Sequence, residues 1–179
     1  MLVDREWLSA TKMTGLAAYT TALAACIWRW ATCEKRGVTG QLFAGLAAVQ
    51  FGLLVDMAFD LRWKLHGFVD DAALAAGVYD QRSMPQLLAL VVLSLALVLV
   101  SIFILHRFHR RLGAGLALTG TFVSVGLWCC ECISYHYVDR LLYYSIGKVM
   151  VVGLVWIGVA LVTCVGVWLD GLSQGRRVS

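Results

Sequence analysis

Apolar residues in this chain do not alternate with polar ones; they come in long runs broken by short charged stretches. Met13–Trp28 carries no charge, and the pattern predicts a helix that runs on past Arg29 to Thr32. Gly37–Val55 is equally free of charge and is predicted to continue through Asp56 to Leu61. Ser83–Leu105 and Val149–Leu169 are uncharged throughout, and Leu112–Cys130 is predicted to continue through Glu131 to Tyr137. A hydrocarbon layer about 30 Å thick takes about 20 residues of helix. In lipid every backbone N–H and C=O must be satisfied within the segment, which helices achieve. Barrel strands would be shorter and would alternate apolar with polar residues. The expected fold is therefore all-α: one domain, an integral membrane bundle of five transmembrane helices near residues 13–32, 38–61, 85–105, 113–137 and 148–169.

The connection from Trp63 to Arg82 is the longest. Its apolar residues Leu65, Phe68, Val69, Ala72, Ala73 and Ala76 recur near helical spacing, with Asp70 and Asp71 between them. This predicts a short amphipathic helix lying at the surface between the second and third spans. Pro85 stands at the start of the third span, where its missing N–H costs nothing. Two small-residue ridges are expected to mediate packing, Gly15–Ala18–Ala22–Cys26 on the first span and Gly45–Ala48–Gly52 on the second. Small residues let helix backbones approach closely in lipid.

Composition agrees. The 179 residues are 60% hydrophobic and 15% charged, with one proline, and the mean hydropathy is +0.78. Soluble domains carry about 25% charged residues. The net charge of +4 marks the ends of apolar runs and forms no nucleic-acid-binding face. The expected partners are therefore the lipid bilayer and other membrane subunits, with no nucleic acid. The six cysteines lack the spacing of a disulfide framework and read as small apolar fillers. The first span reads as retained rather than cleaved, because Asp4, Arg5, Glu6 and Lys12 sum to zero where a signal peptide has a basic start.

Five spans put the termini on opposite sides. The N-terminal side carries seven Lys and Arg, the C-terminal side eight, but on the latter Arg107, Arg110 and Arg111 crowd one short turn. Bases concentrate on the cytoplasmic side, so the C-terminus is expected in the cytoplasm and the N-terminus outside. Trp28, Trp30, Trp63 and Trp168 fall at span ends, as interfacial anchors do, whereas Trp128 and Trp156 fall inside spans and are expected to fill helix contacts.

Acids inside apolar segments need partners, since a charge at a helix centre costs about 2.5–3.5 kcal/mol on insertion scales. Asp56, Asp60 and Glu131 are the acids concerned; Asp56 and Glu131 end up at similar depth under the N-terminal-side surface, about 9 Å for Asp56 at 1.5 Å per residue, and Asp56 and Asp60, four apart, are expected to share one side of their helix. If the fourth helix continues, Cys132 and His136 share a face, as do His136 and Asp139. Asp56, Asp60, Arg82, Glu131, Cys132, His136 and Asp139 are thus the candidate intramembrane polar cluster. It reads as an ion-pair network neutralised by Arg62, Arg82 or Arg140, as a site for a metal ion, or as a proton path. The spacing matches no standard zinc pattern, the histidines are poorly placed for haem, and no cofactor is named by the sequence.

Two stretches, Val78-Tyr79-Asp80-Gln81-Arg82-Ser83-Met84-Pro85-Gln86 and Ile133-Ser134-Tyr135-His136-Tyr137-Val138-Asp139-Arg140-Leu141-Leu142, resemble small uncharacterised multi-pass membrane proteins of bacteria over about the middle half of the chain. The resemblance implies an inner-membrane protein without an assigned activity, and points to Tyr79, Arg82, Ser134, His136 and Asp139. The functional expectation is a non-catalytic accessory or scaffold subunit of a larger bacterial membrane complex. The alternative is a protein that handles metal ions or protons through its Asp/Glu/His cluster.

Overall fold

The computed structural model describes residues 5–33, 37–77 and 82–175, and within them the chain is all-α apart from one small hairpin. The helices are α1 (Arg5–Thr32), α2 (Val38–Phe59), α3 (Leu61–Ala75), α4 (Ser83–Arg107), α5 (Leu112–Ile133), α6 (His136–Leu142) and α7 (Val151–Gly175). A single turn of 3₁₀ helix, His109–Arg111, leads into α5, and strands β1 (Ser145–Ile146) and β2 (Val149–Met150) pair antiparallel before α7. Tyr79, singled out by the resemblance, lies outside the described residues, as do Lys35, Arg36, Arg176 and Arg177.

Among the described residues, four helices are long and apolar enough to cross a membrane: α2, α4, α5 with its preceding turn, and α7. Helix α1 has the length, at 28 residues, but Thr11, Thr14, Thr20, Thr21, Lys12 and Arg29 dilute its apolar character. The five long helices run up and down in alternation. The start of α1 meets the start of α7 and the ends of α2 and α5: Thr11 accepts from the Met150 N–H at 3.1 Å, and Lys12 reaches Asp60 at 2.6 Å. The opposite end brings together Arg29 of α1, Thr39 of α2, Arg111 before α5 and Asp170 of α7.

Helix α7 packs against α1 on one side and α5 on the other; α2 leans on α1, and α4 is held by α5. The α5–α7 contact is made backbone to backbone. A Cβ at Gly113 would run into the main chain of Asp170, and one at Gly166 would run into that of Ala117. Two apolar clusters fill the bundle. Tyr19, Leu53, Met57, Val152 and Trp156 lie towards the α7 start, and Cys26, Phe43, Leu46, Ala117 and Val167 towards its end. Between them Gln50, fully buried, donates to Thr121 Oγ1 at 3.1 Å and ties α2 to α5.

Several boundaries differ from expectation for identifiable reasons. The ridge on α1 is buried as the pattern implies: Ala18, Ala22 and Cys26 lie in the core, and a Cβ at Gly15 would meet Trp156 and Met57. The ridge on α2 is not. Gly45, Ala48 and Gly52 face outward, and Phe43, Leu46, Ala47, Gln50 and Leu53 face in. Large residues on α2 fill the space that the small residues of α1 leave. Helix α2 stops at Phe59 because Asp60 turns left-handed (φ 56°), and α5 stops at Ile133 because Ser134 does the same (φ 46°). The predicted continuations to Leu61 and Tyr137 therefore fail. The amphipathic segment is present as α3, beginning directly after the Asp60 break and burying only Arg62.

Candidate functional site

The breaks at Asp60 and Ser134 decide what the polar residues do. Helix α3 starts without a side-chain cap of its own, leaving N–H groups that need acceptors. Asp56, one turn back on α2, supplies one. Its Oδ1 accepts from the Arg62 N–H at 2.8 Å, and its Oδ2 accepts from Arg62 Nε at 2.8 Å. The carboxylate thereby clamps the corner between two helices and orients the arginine. Arg62 then spans to α5, where its Nη1 donates to Glu131 Oε2. The other Glu131 oxygen accepts from Trp156 Nε1 of α7 at 3.0 Å. The Arg62 guanidinium lies 5.4 Å from the Trp156 ring centroid, a cation–π arrangement. Arg62, Asp56 and Glu131 are each at most 5% exposed. Burial acts against the Arg62 charge, and Glu131 and Asp56 outweigh it, so the net shift is upward.

The triad joins α2, α3, α5 and α7 and has one positive charge for two negative ones. Beside it opens a cavity of about 270 Å³. Arg62, Glu131 and Trp156 line its inner part; Lys12, Asp60, Trp63 and Tyr143 also line it, together with Thr11 and the apolar Met57, Met150 and Val152. Lys12 and Asp60 pair at 2.6 Å with side chains 32% and 50% exposed, so they form the open rim. The Tyr143 hydroxyl is buried and has no hydrogen-bond partner among the described residues. Burial, reinforced by Glu131 and Asp139, pushes its phenol up, so it stays protonated.

The seven candidate residues therefore divide. Asp56 and Glu131 meet through Arg62, and Asp60 lines the same cavity without joining the triad. Asp60 and Asp56 do not share a helix side, because Asp60 is the left-handed residue. Arg82 donates to Asp70 of α3 at 2.6 Å, and Cys132, half-buried, lines a separate groove of about 620 Å³ between α3, α4 and α5. With α5 ended, His136 lies on α6, exposed, its ring against Tyr137; the expected shared face with Cys132 is lost. Asp139 accepts from the Ser134 hydroxyl at 2.6 Å, closing the loop between α5 and α6. Among the described residues, no group of three or more His, Cys, Asp and Glu side chains is placed to hold a metal ion.

Sequence reasoning missed a second buried centre. At the far end of the bundle Asp170 accepts from Arg29 Nε at 2.9 Å and from Arg111 Nη2 at 2.9 Å, and Arg111 also donates to Thr39. Arg29 stands over the Phe43 ring, 5.6 Å from its centroid. Asp170 and Arg29 are 1% and 3% exposed. The signal was present: Asp170 directly follows the uncharged run Val149–Leu169, as Asp56 and Glu131 follow theirs, and it is the only acid after Asp139.

No family model matches this chain, and neither a curated protein nor a solved structure matches it. What the fold defines, among the described residues, is an all-α chain with four helices apolar enough to cross a membrane and an ion cluster at each end of the bundle.

Proposed function

We propose that this chain is a multi-pass protein of the bacterial inner membrane, with α1, α2, α4, α5 and α7 as five spans and α3 lying at the non-cytoplasmic surface. Its role is that of a non-catalytic accessory subunit of a larger membrane assembly. The observation that carries this reading is the contrast between the two halves of the bundle surface. Helices α1, α5 and α7 are tied through Asp170, and α2 and α5 through Arg62 of α3, by ion pairs that are buried apart from the Arg111 side chain. Helix α4 packs chiefly along α5 and turns an unbroken apolar face outward, with Val92, Leu95, Leu99, Ile102 and Phe103 all more than half exposed. Buried charges held by fixed partners make a rigid frame. An apolar helix hung on one side of it is suited to contact lipid and neighbouring spans. Arg107 and Arg110, beside the α4–α5 turn, support placing that end in the cytoplasm.

The experiment is purification of the full chain in mild detergent with mass-spectrometric identification of stoichiometric membrane partners. A partner that is lost when Leu95 and Leu99 are both replaced by Trp supports the reading. A stable monomer or self-oligomer with no such partner overturns it. Orientation is checked with reporter fusions to the C-terminus, which are expected to read cytoplasmic.

A second reading, cation or proton handling, is favoured by the surplus carboxylate of the Arg62 triad. Its test is a pH titration of the purified protein in vesicles against a Glu131→Gln variant. A proton-linked signal that is lost in the variant supports it, and identical profiles overturn it.

A further inference from the structure

The cavity beside the Arg62 triad has a chemistry that structural ion pairing does not use up. Of the charges at its wall, Lys12 and Asp60 cancel at the rim. Further in, Arg62 and Glu131 also balance at the wall, and the one formal negative charge in surplus comes from Asp56, which lies behind the wall and shares Arg62 with Glu131. An enclosed charge is screened far less than one in water, so the site attracts a cation. It repels an anion, because its one buried guanidinium is already claimed by two carboxylates.

The rest of the wall selects the kind of cation. Trp63 and Tyr143 stand together with ring centroids 5.7 Å apart, and both line the cavity. Aromatic faces hold alkylammonium groups well and offer little to a small, strongly hydrated metal ion. The unpartnered Tyr143 oxygen can accept from an ammonium N–H, and each Glu131 oxygen retains a lone pair beyond its bond to Arg62 or Trp156. The volume of about 270 Å³ falls just below the range of drug-sized sites, which suits a headgroup-sized molecule.

We propose that this cavity binds an organic ammonium group, with Trp63 and Tyr143 as its aromatic wall and Glu131 as its counter-charge. The ammonium comes from a free amine or from an aminophospholipid headgroup reaching in past the Lys12–Asp60 rim. The inference is independent of the accessory-subunit reading, since the cavity lies within one chain.

The test uses the full-length protein in phosphatidylglycerol nanodiscs. Tryptophan fluorescence is titrated with ethylammonium chloride and tetramethylammonium chloride, against sodium chloride at equal ionic strength. Saturable responses to the ammonium probes, absent with sodium, are expected. They should weaken about tenfold in Trp63→Leu, the scale of one desolvated cation–π contact, and in Glu131→Gln. If Glu131→Gln does not fold, Trp63→Leu and Tyr143→Phe carry the test. A second set of discs containing phosphatidylethanolamine separates the sources. Suppressed probe binding there assigns the site to the lipid headgroup, and unchanged binding assigns it to a soluble amine; both support the proposal. It is overturned if neither ammonium probe gives a saturable response, if sodium gives the same response, or if the folded variants bind as the parent does.

Discussion

The two ends of the bundle solve one problem with opposite charges. At the α7 start, one arginine sits between two carboxylates; at the α7 end, one carboxylate sits between two arginines. Both clusters tie helices that are distant in sequence, and both are buried. They differ in what surrounds them. Asp170 and Arg29 are enclosed, with Gly113 of α5 pressed against the Asp170 backbone, and that cluster meets open space only through Arg111, which lines a groove with Val38 and Arg110. The Arg62 cluster borders a cavity whose rim is exposed, so it can also meet something from outside. The lesson is that a buried ion pair in an apolar bundle is not by itself a functional site; the space beside it decides.

This contrast can be broken most severely by removing the shared partner at each end. Arg62→Met leaves two neighbouring carboxylates without a counter-charge. Breaking a buried pair by deleting one partner costs about 3–5 kcal/mol, and the upper end is expected here, read as loss of the monodisperse peak after heating in detergent. Asp170→Asn strands Arg29 in the same way, but Arg111 is 30% exposed and can turn to solvent. A loss near the lower end of that range is expected in the same assay.

Smaller effects sharpen the comparison within the Arg62 cluster. Asp56→Asn weakens both the arginine pair and the bond to the α3 N–H, and should cost about 1–3 kcal/mol. Glu131→Gln removes the surplus negative charge while keeping an oxygen for Trp156, and should cost less than Asp56→Asn. A larger loss for Glu131→Gln would show that the surplus charge stabilises the bundle. Lys12→Ala removes only the half-exposed rim pair and should change stability by less than about 1 kcal/mol, which heating of the same detergent sample would register. It opens the mouth of the cavity without touching its floor.

Much of the helical layout could be read directly from the chain, because long uncharged runs have few ways to satisfy their backbone in an apolar setting. The small ridge on α1 was legible for a related reason: Gly15, Ala18, Ala22 and Cys26 repeat at the spacing of one helix face. The similar-looking ridge on α2 was misleading, since periodicity names a face and not the direction it points. Asp56 and Glu131 were legible as acids in need of partners at matching depth. Which base would answer them was not: Arg62, Arg82 and Arg140 were equal candidates on sequence, and the left-handed Asp60 aims Arg62 inward. His136 was misplaced because nothing local marks Ser134 as the end of α5; the turn is secured from elsewhere, with Gln86 of α4 donating to the Ile133 and Ser134 carbonyls.

Sequence alone thus determined where the chain is apolar, how many long helices it forms and which charges are too deep to stand unpaired. These are properties of single segments, set by hydrophobicity and backbone hydrogen bonding. The tertiary structure decided which charges meet, that Asp170 answers Arg29 across 141 positions of sequence, and that Arg62 and Glu131 of one cluster line a cavity while Asp170 and Arg29 of the other are enclosed. Those outcomes depend on how helix faces are rotated against one another, and the free energy that sets the rotation is shared among contacts from several segments at once.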